Sequence, residues 1–410
     1  MEKLYGNAIV GQSGGPTTAI NATLAGVIRG AIECDAIKTV YGAKNGIEGV
    51  LKKTLIDVSN MTEEDLKLLE NTPAAALGSC RKKLPKDFEG ENRKTFEDII
   101  AVFKEFDIRY FFYIGGNDSM DTVAKLSKFT KSIGYDMRVI GVPKTIDNDL
   151  AGTDHTPGYG SAAKYIATTM QEILRDTAVY TVKAVTIVEI MGRDAGWLTA
   201  AAGLSSLYTN VEPDLVYLPE VPFDFDNFYA DLEKAFEKHP NVVVAVSEGV
   251  RTADGTYVGE GTQSGATDAF GHKYLSGTGK ALELAVKDKF GCKVRSIELN
   301  LPQRCASHLA SKTDLTESVS IGRAAVKAAA SGETGKMMIF VRGEGEAYEI
   351  GIDSADISGI ANAVRSVPRE YINERGNNVT KECLSYIAPL IIGEPELTFE
   401  GGLPKHFSFS

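Results

Sequence analysis

The chain has 410 residues, of which 43% are hydrophobic and 24% charged, and its formal net charge is −11. This composition is that of an ordinary globular protein, and the length allows two domains. The negative charge argues against general binding to nucleic acid or to an anionic membrane surface, so an anionic substrate needs a local group of Lys and Arg side chains.

Short apolar runs alternate with amphipathic stretches of helical length along most of the chain. This alternation predicts an α/β protein with largely parallel sheets. The predicted strands are Ala8–Val10, Thr39–Tyr41, Tyr110–Ile114, Arg138–Val142, Val185–Ile190 and Val242–Val246. The predicted helices are Thr18–Glu33, Ser119–Ile133, Ser161–Asp176, Asp194–Ser205, Asp226–Lys238 and Gly279–Phe290. The stretch Met337–Ile352 has the pattern of a hairpin.

The first predicted strand ends in "GQSGGPTTAIN". Gly14 and Gly15 allow backbone N–H groups to turn toward a ligand, and Thr17 or Thr18 could cap the helix that follows. Such a helix start favours anions. A tight strand-to-helix turn without a ligand has the same pattern, so the loop alone leaves both readings open.

The stretch "GGNDSMD" repeats this arrangement after Tyr110–Ile114. Ser119 is predicted to cap the following helix. Asp118 and Asp121 are acids of the kind that favour a helix N-terminus. That preference explains an acid in the first turn but not the Gly-Gly pair before it.

The stretch "PKTIDND" is the most informative, because Lys144, Asp147 and Asp149 lie close together after a strand that reads as buried. A lysine can neutralise phosphate oxygens, and a carboxylate can take a proton from an attacking hydroxyl. Asp and Asn are also common turn residues. Composition alone therefore favours neither a catalytic loop nor a plain turn.

The order of these stretches resembles the 6-phosphofructokinase family, and more narrowly its pyrophosphate-dependent branch. The resemblance covers roughly residues 6 to 320. Its blocks are "SGGPTTAIN", "LGSCRKKL", "YIGGNDSMD", "PKTIDNDL", "TDHTPGYGSAAK", "VEIMGRDAGWLT", "VSEG" and "LPQRCASHLAS".

The resemblance implies an enzyme with two Rossmann-like lobes and an active site in the cleft between them. Residues 1–160, completed by part of 303–375, would bind the donor phosphates, and residues 161–302 the sugar phosphate. Residues 376–410 have no assigned role. The implied reaction transfers a phosphoryl group from pyrophosphate to the C1 hydroxyl of fructose 6-phosphate, reversibly, giving fructose 1,6-bisphosphate and phosphate.

The resemblance also assigns residues to the acceptor. Asp147 is the implied general base, and Arg193 is also expected to neutralise the transferring phosphoryl group. The residues implied to bind fructose 6-phosphate are Thr145, Ile146, Asp147, Met191, Gly192, Arg193, Glu248, Arg295, Leu301 and Arg304. Leu301 departs from a histidine that is common in the ATP-using relatives.

The residues implied for the diphosphate are Gly14, Gly15, Arg81, Ser119 and Lys144. ATP-using relatives typically have glycine where this chain has Asp118 and Lys144. A carboxylate at Asp118 would repel a nucleotide's α-phosphate by about 4 kcal/mol at 4 Å and an effective dielectric near 20. Lys144 would ligate the pyrophosphate instead, so both residues are counted as catalytic.

Mg²⁺ is the implied cofactor, with Asn117 as its ligand, directly or through water. The pyrophosphate branch often has a second Asp at this position. Some family contacts come from a neighbouring subunit, so a homo-oligomer, dimer or tetramer, is implied. In the ATP-using relatives one of these contacts comes from an arginine, which aligns near Ala184 of this chain, beside Lys183.

The expected location is the cytoplasm, without membrane or nucleic-acid partners. No apolar run approaches the roughly 18 residues that cross a bilayer, and the first residues lack a signal-peptide core. The five cysteines include no CxxC pair, which argues against disulfides and zinc.

Four alternatives remain open from the sequence. They are an ATP-dependent 6-phosphofructokinase, a pyrophosphate-dependent kinase of another sugar phosphate such as sedoheptulose 7-phosphate, a dinucleotide-binding oxidoreductase and a non-catalytic paralogue. The chain lacks the G-x-G-x-x-G signature that a dinucleotide-binding oxidoreductase would have. The paralogue is disfavoured because Lys144, Asp147, Arg193 and Glu248 are all present.

Overall fold

The computed structural model describes residues 3–260, 277–345, 347–360 and 363–409. The strands are β1 (Gly6–Gln12), β2 (Ile37–Ala43), β3 (Leu55–Asp57), β4 (Ile108–Gly115), β5 (Arg138–Pro143), β6 (Ala184–Ile190), β7 (Leu215–Tyr217), β8 (Asn241–Ser247), β9 (Lys293–Glu298), β10 (Lys336–Arg342), β11 (Ile350–Asp356), β12 (Phe399–Glu400) and β13 (Leu403–Pro404). The α-helices are α1 (Ile20–Ile32), α2 (Gly46–Leu51), α3 (Glu63–Glu70), α4 (Arg93–Glu105), α5 (Asn117–Ser132), α6 (Tyr159–Thr177), α7 (Trp197–Ala200), α8 (Phe225–Phe236), α9 (Thr278–Phe290), α10 (Lys312–Ala330) and α11 (Lys381–Ile387).

The larger sheet has seven strands in the order β11-β10-β5-β4-β1-β2-β3. Strands β2, β1, β4, β5 and β10 run parallel, and β3 and β11 are antiparallel at the two edges. Alternate side chains of the central strands face opposite layers. Val10 and Phe112 pack with α1 and α10, whereas Ile9 and Phe111 pack with α4 and α5. A sheet covered on both faces explains why β1 and β4 read as continuous apolar runs.

The smaller sheet has four parallel strands in the order β7-β8-β6-β9. Val188 and Ile190 of β6 face a core that includes α6, α7 and α11. Val185 and Ile187 of the same strand face α8 and α9. The predicted α/β class is therefore confirmed, and so is the hairpin, which is formed by β10 and β11. Within the described residues, no helix has the length and apolar character to cross a membrane.

Helices α1 and α10 pack with almost no space between their backbones. A Cβ atom at Gly26 would lie 2.1 Å from the Val319 carbonyl oxygen, and one at Gly322 would lie 2.4 Å from the Thr23 carbonyl oxygen. Both glycines are therefore needed for this approach. The contact attaches residues 312–330 to the face of the larger sheet.

Two sequence predictions about helix caps are wrong. Neither Thr17 nor Thr18 caps α1, which begins after Ala19 and has no side-chain cap. Ser119 does not cap α5 either, because the helix begins at Asn117 and the Gly116 carbonyl accepts the Ser119 N–H at 2.9 Å.

The helix predicted for Asp194–Ser205 is shorter than expected. It contains only α7, followed by a 3-10 helix at Ala201–Leu207. The Gly196 N–H, at the start of α7, donates to Glu220 Oε1 at 2.8 Å.

Candidate active site

The loop after β1 lies against two cations from distant parts of the chain. Gly14 has φ +78°, in the left-handed region that favours glycine. A Cβ atom at Gly14 would lie 3.4 Å from Lys144 Nζ, and one at Gly15 would lie 3.4 Å from Arg304 Nη1. Lys144 Nζ also donates a hydrogen bond to the Gly15 carbonyl oxygen. This arrangement can neutralise a bound anion.

Lys144 follows β5 directly and is only 3% exposed. Burial lowers the pKa of its ammonium group to about 8, and the carboxylates of Asp147 and Asp149 oppose that shift. The charges of Arg304 and Arg81 lower the pKa further. Four charged side chains therefore surround one buried amine.

Asp147 and Asp149 form an acid pair in the same loop. Burial raises the pKa of Asp147 to about 7, and the negative charge of Asp149 adds to the increase. Arg193 and Lys144 act in the opposite direction. The pKa of Asp149 is also raised, mainly by burial, although Thr145 donates a hydrogen bond to its carboxylate. A carboxylate with a pKa near neutrality is suited to accept a proton in catalysis.

The loops after β6 and β8 bring a second group of residues to Asp147. Glu248 Oε1 accepts the Gly192 N–H at 3.3 Å. Burial raises the pKa of Glu248 to about 8, with a further contribution from the charge of Asp147. Arg193 lowers the pKa of both carboxyl groups. The ends of strands from both sheets therefore meet at one site, as the carboxyl ends of parallel strands commonly do.

The first turn of α5 contributes three neighbouring side chains. Asn117 Oδ1 is buried and has no hydrogen-bond partner. Asp118 pairs with Lys83 at 3.0 Å, with the two side chains 31% and 45% exposed. Ser119 is buried, and its Oγ lies close to Gly115.

Arg81 belongs to the same cluster, because its charge lowers the pKa values of both Lys144 and Arg304. Ile146 is 7% exposed and packs in the hydrophobic core. Only the Ile146 backbone is therefore available to a ligand.

Arg295 is separate from this cluster. It lies in β9 opposite Thr186 of β6, four residues before the end of β6, which corresponds to about 13 Å of strand. Its side chain lines a cavity of about 230 Å³ with Glu172, Asp176 and Thr177. Leu301 is 51% exposed, in the 3-10 helix that ends at Arg304. The structure therefore does not bring Arg295 together with Asp147 of the same chain.

Sequence reasoning missed three residues that shape the site. Gln303 Oε1 accepts the Met191 N–H at 3.1 Å, and Lys83 pairs with Asp118. Burial raises the pKa of Glu189 to about 7, and its carboxylate accepts the Gly279 N–H at 2.7 Å. All three residues stand inside the quoted blocks "LPQRCASHLAS", "LGSCRKKL" and "VEIMGRDAGWLT", and Glu189 also lies in the strand predicted for Val185–Ile190.

Comparisons with known proteins identify the family of this chain. The family model described as Phosphofructokinase matches residues 7–329. A pyrophosphate–fructose 6-phosphate 1-phosphotransferase of Halomonas elongata is 44% identical over 402 residues, covering 97% of this chain and 95% of the relative. One of Xanthomonas campestris pv. campestris is 42% identical over 406 residues, covering 98% and 96%. The crystal structure of a pyrophosphate-dependent phosphofructokinase from Nitrosospira multiformis has a TM-score of 0.88 at 38% identity, and the match covers 98% of this chain and 95% of that one.

Proposed function

Because the chain belongs to the phosphofructokinase family, we propose that it transfers a phosphoryl group from pyrophosphate to the C1 hydroxyl of fructose 6-phosphate. The P–O–P bond of pyrophosphate breaks, a P–O bond to the sugar forms, and the hydroxyl proton goes to a carboxylate of the protein. The products are fructose 1,6-bisphosphate and phosphate, and we expect the reaction to run in both directions. Nearly full-length relatives named for this activity support the proposal.

The observation that carries the proposal is the pairing of buried Lys144 with Asp147 beside the Gly14–Gly15 loop. Lys144 can bind a diphosphate oxygen on the side of this loop. Asp147 lies three residues after Lys144, and its pKa is raised to about 7. It can accept the proton of the C1 hydroxyl. One cationic and one basic group on a single loop fit a transfer from an anionic donor to a hydroxyl.

Most of the rate enhancement in such a transfer comes from positioning and charge neutralisation. Arg193 lies close enough to Asp147 to lower its pKa, so its guanidinium can face the transferring phosphoryl group. General-base assistance from Asp147 contributes about 10²–10⁴ in rate. Because burial lowers the pKa of Lys144 to about 8, the negative charge of a bound donor would further stabilise its ammonium form.

The sugar phosphate is assigned to the loops of the smaller sheet and the 3-10 helix after β9. Glu248 accepts hydrogen bonds from sugar hydroxyls, and Met191 and Gly192 line the sugar. Arg304 binds the 6-phosphate through its planar fork. Thr145 contacts the sugar beside Asp147.

Two side chains select pyrophosphate over ATP in this proposal. Lys144 Nζ occupies the space next to Gly14, where its charge meets the diphosphate. Asp118 is held by Lys83 at 3.0 Å, so a carboxylate stands where the chain of a nucleotide would continue. A compact diphosphate avoids that carboxylate, whereas an α-phosphate is repelled by it.

Mg²⁺ is the divalent cation that we assign to this site. The buried and unpartnered Asn117 Oδ1 is an oxygen donor of the kind that Mg²⁺ accepts. No group of three or more His, Cys, Asp or Glu side chains in the described part of the chain could hold a metal. That fits Mg²⁺, which usually keeps several waters and binds largely through substrate phosphates. When bound, it would neutralise phosphate oxygens of the donor.

The assembly is proposed to be a homo-oligomer, dimer or tetramer, in the cytoplasm. Arg295 lies away from Asp147 of its own chain, so its assignment to the 6-phosphate requires a second subunit. The lobe boundaries, 1–160 with part of 303–375 and 161–302, remain part of this proposal. The strands of the larger sheet come from residues 6–143 and 336–356, and those of the smaller from 184–298, which supports this division.

The test measures product formation from fructose 6-phosphate and Mg²⁺ with pyrophosphate or ATP as the only donor. We expect activity with pyrophosphate and little with ATP, and Asp118→Ala should shift that preference toward ATP. Asp121→Ala is the matched control, because Asp121 is in the same helix but pairs with Lys125 at 2.6 Å. Activity with ATP alone would overturn the donor assignment. Preference for sedoheptulose 7-phosphate would overturn the acceptor.

A further inference from the structure

The residue after the proposed base has an unusual and fully anchored conformation. Asn148 is completely buried and has φ +55°, in the left-handed region that few residues with a side chain adopt and that Asn adopts more readily than most. Its Oδ1 accepts the Thr156 N–H at 3.1 Å, and its Nδ2 donates to Tyr386 Oη at 3.1 Å. Both ends of the side-chain amide are therefore used to hold the backbone beside Asp147.

Tyr386 comes from α11, more than 230 residues away along the chain. Its hydroxyl donates to the Asp154 carbonyl oxygen at 2.6 Å and accepts from Asn148. It also accepts from both terminal nitrogens of Arg365, at 3.3 and 3.2 Å. The hydroxyl therefore donates one hydrogen bond and accepts three, and two of the accepted bonds come from the same guanidinium group. All four belong to a buried network.

Arg365 holds the other side of the same loop. Its backbone N–H donates to the Asp149 carbonyl oxygen at 2.8 Å, and its carbonyl accepts from Trp197 Nε1 at 3.0 Å. Its guanidinium stacks over the Trp197 ring at 4.3 Å. An isolated β-bridge joins Leu150 to Val364. The late part of the chain therefore binds the loop at Asn148, Asp149 and Leu150, the three residues that follow Asp147.

We infer that Tyr386 and Arg365 are positioning residues that hold Asp147 at its reactive position through Asn148 and Asp149. Neither side chain is assigned to a substrate, and the inference rests on the proposed role of Asp147 as the base. Asn148 loses one anchor of its left-handed conformation when the Tyr386 hydroxyl is removed. A small displacement of a reacting group is enough to slow catalysis, since about 1 Å can cost about 100-fold.

A simpler role for Tyr386 is packing, because its ring lies 5.2 Å from that of Trp197 and belongs to the core beside the smaller sheet. Phenylalanine would serve that role equally well. A packing role does not explain the four hydrogen bonds that the hydroxyl makes. Tyr386→Phe therefore separates the two roles, because it keeps the ring and removes only the oxygen.

The first measurement compares Tyr386→Phe with the wild type in steady-state kinetics. We expect kcat to fall about 10- to 100-fold, with little change in KM for either substrate, because the hydroxyl acts on the base and not on binding. Tyr371→Phe is the matched control. Its ring packs 6.1 Å from that of Tyr386, and we expect its kcat to stay unchanged. An unchanged kcat in Tyr386→Phe, or an equal loss in Tyr371→Phe, would overturn the inference.

Hydrogen–deuterium exchange gives a readout that does not depend on activity. In Tyr386→Phe the amides of residues 144–150 should exchange faster, while those of β4 keep their protection. Faster exchange in both would indicate general destabilisation and overturn the inference. A wild type that is inactive with pyrophosphate would overturn the proposed function, whereas the exchange result would still decide whether Tyr386 holds the loop.

A double variant tests whether Tyr386 acts through Asn148. Asn148→Gly removes the side chain, and glycine tolerates the same backbone conformation. In that background Tyr386→Phe should lower kcat by less than it does in the wild type, because the route through Asn148 is already absent. Full additivity of the two losses would contradict the proposed route.

Discussion

The pH dependence of the rate is expected to be bell-shaped because the two central groups have pKa values shifted toward each other. Asp147 acts as a base only when it is ionised, and burial raises its pKa to about 7. Its contribution is therefore lost as the pH falls through 7. Lys144 binds phosphate oxygens as the ammonium ion, and burial lowers its pKa to about 8. Its contribution is lost as the pH rises through 8.

The expected size of the effect follows from these two values. At pH 7.5 about 60% of the molecules carry both the ionised Asp147 and the protonated Lys144. At pH 6 or pH 9 that fraction is about 9%, so the rate falls about six-fold on either side. The assay is the initial rate with both substrates far below their KM, because that rate reports the free enzyme.

Two variants separate the protein's contribution from ionisation of the substrates. Asp149→Asn removes the charge that raises the pKa of Asp147, so the acid limb should move to lower pH. Lys144→Met removes an opposing charge and should move the acid limb to higher pH while the alkaline limb disappears. Substrate ionisation is the same in all three proteins. Acid limbs that coincide, or that move in the same direction, would refute the electrostatic reasoning.

Three further predictions concern the base, the metal and the fold. Asp147→Asn should lower kcat by about 10²–10⁴ with an unchanged circular dichroism spectrum; retained turnover would contradict the assignment of the base. Asn117→Ala should raise the Mg²⁺ concentration needed for half-maximal rate, and an unchanged requirement would remove Asn117 as a ligand. Gly26→Ala should lower the free energy of unfolding by about 1–3 kcal/mol in urea denaturation, because its Cβ would lie 2.1 Å from the Val319 carbonyl oxygen. Gly359→Ala is the control for it, since a Cβ there meets nothing within 4 Å, and an equal loss would contradict the steric explanation.

The sequence was informative wherever burial and chain order determine structure locally. Apolar runs such as Tyr110–Ile114 predicted strands because the central strands are covered on both faces. Strand β9 was missed because "KVRSIE" mixes charges with apolar residues, and all six of its residues are partly or fully exposed. The helix predicted from Asp194 is shorter than expected, and it begins beside a contact of the Gly196 N–H with Glu220 that periodicity does not reveal.

The candidate site was predictable in its residue types but not in its electrostatics. The motif "PKTIDND" placed Lys144, Asp147 and Asp149 within one loop. The pKa shifts of all three depend mainly on burial, and that of Asp147 also depends on Arg193, which follows a strand of the other sheet. The contacts of Tyr386 and Arg365 with this loop join segments far apart in the chain, and no local pattern marks them.

The electrostatics of the buried lysine bear directly on the proposed choice of donor. Lowering the pKa of Lys144 from its ordinary value of about 10.4 to about 8 makes its ammonium form less stable by about 3 kcal/mol. Burial deprives the ammonium group of stabilising water. The negative charge of a diphosphate next to Nζ would replace that stabilisation and so favour the ammonium form. The same interaction favours a donor whose negative charge is concentrated near Gly14. In the proposed donor selection, the Asp118 carboxylate, which Lys83 holds at 3.0 Å, takes the space into which a donor longer than a diphosphate would extend.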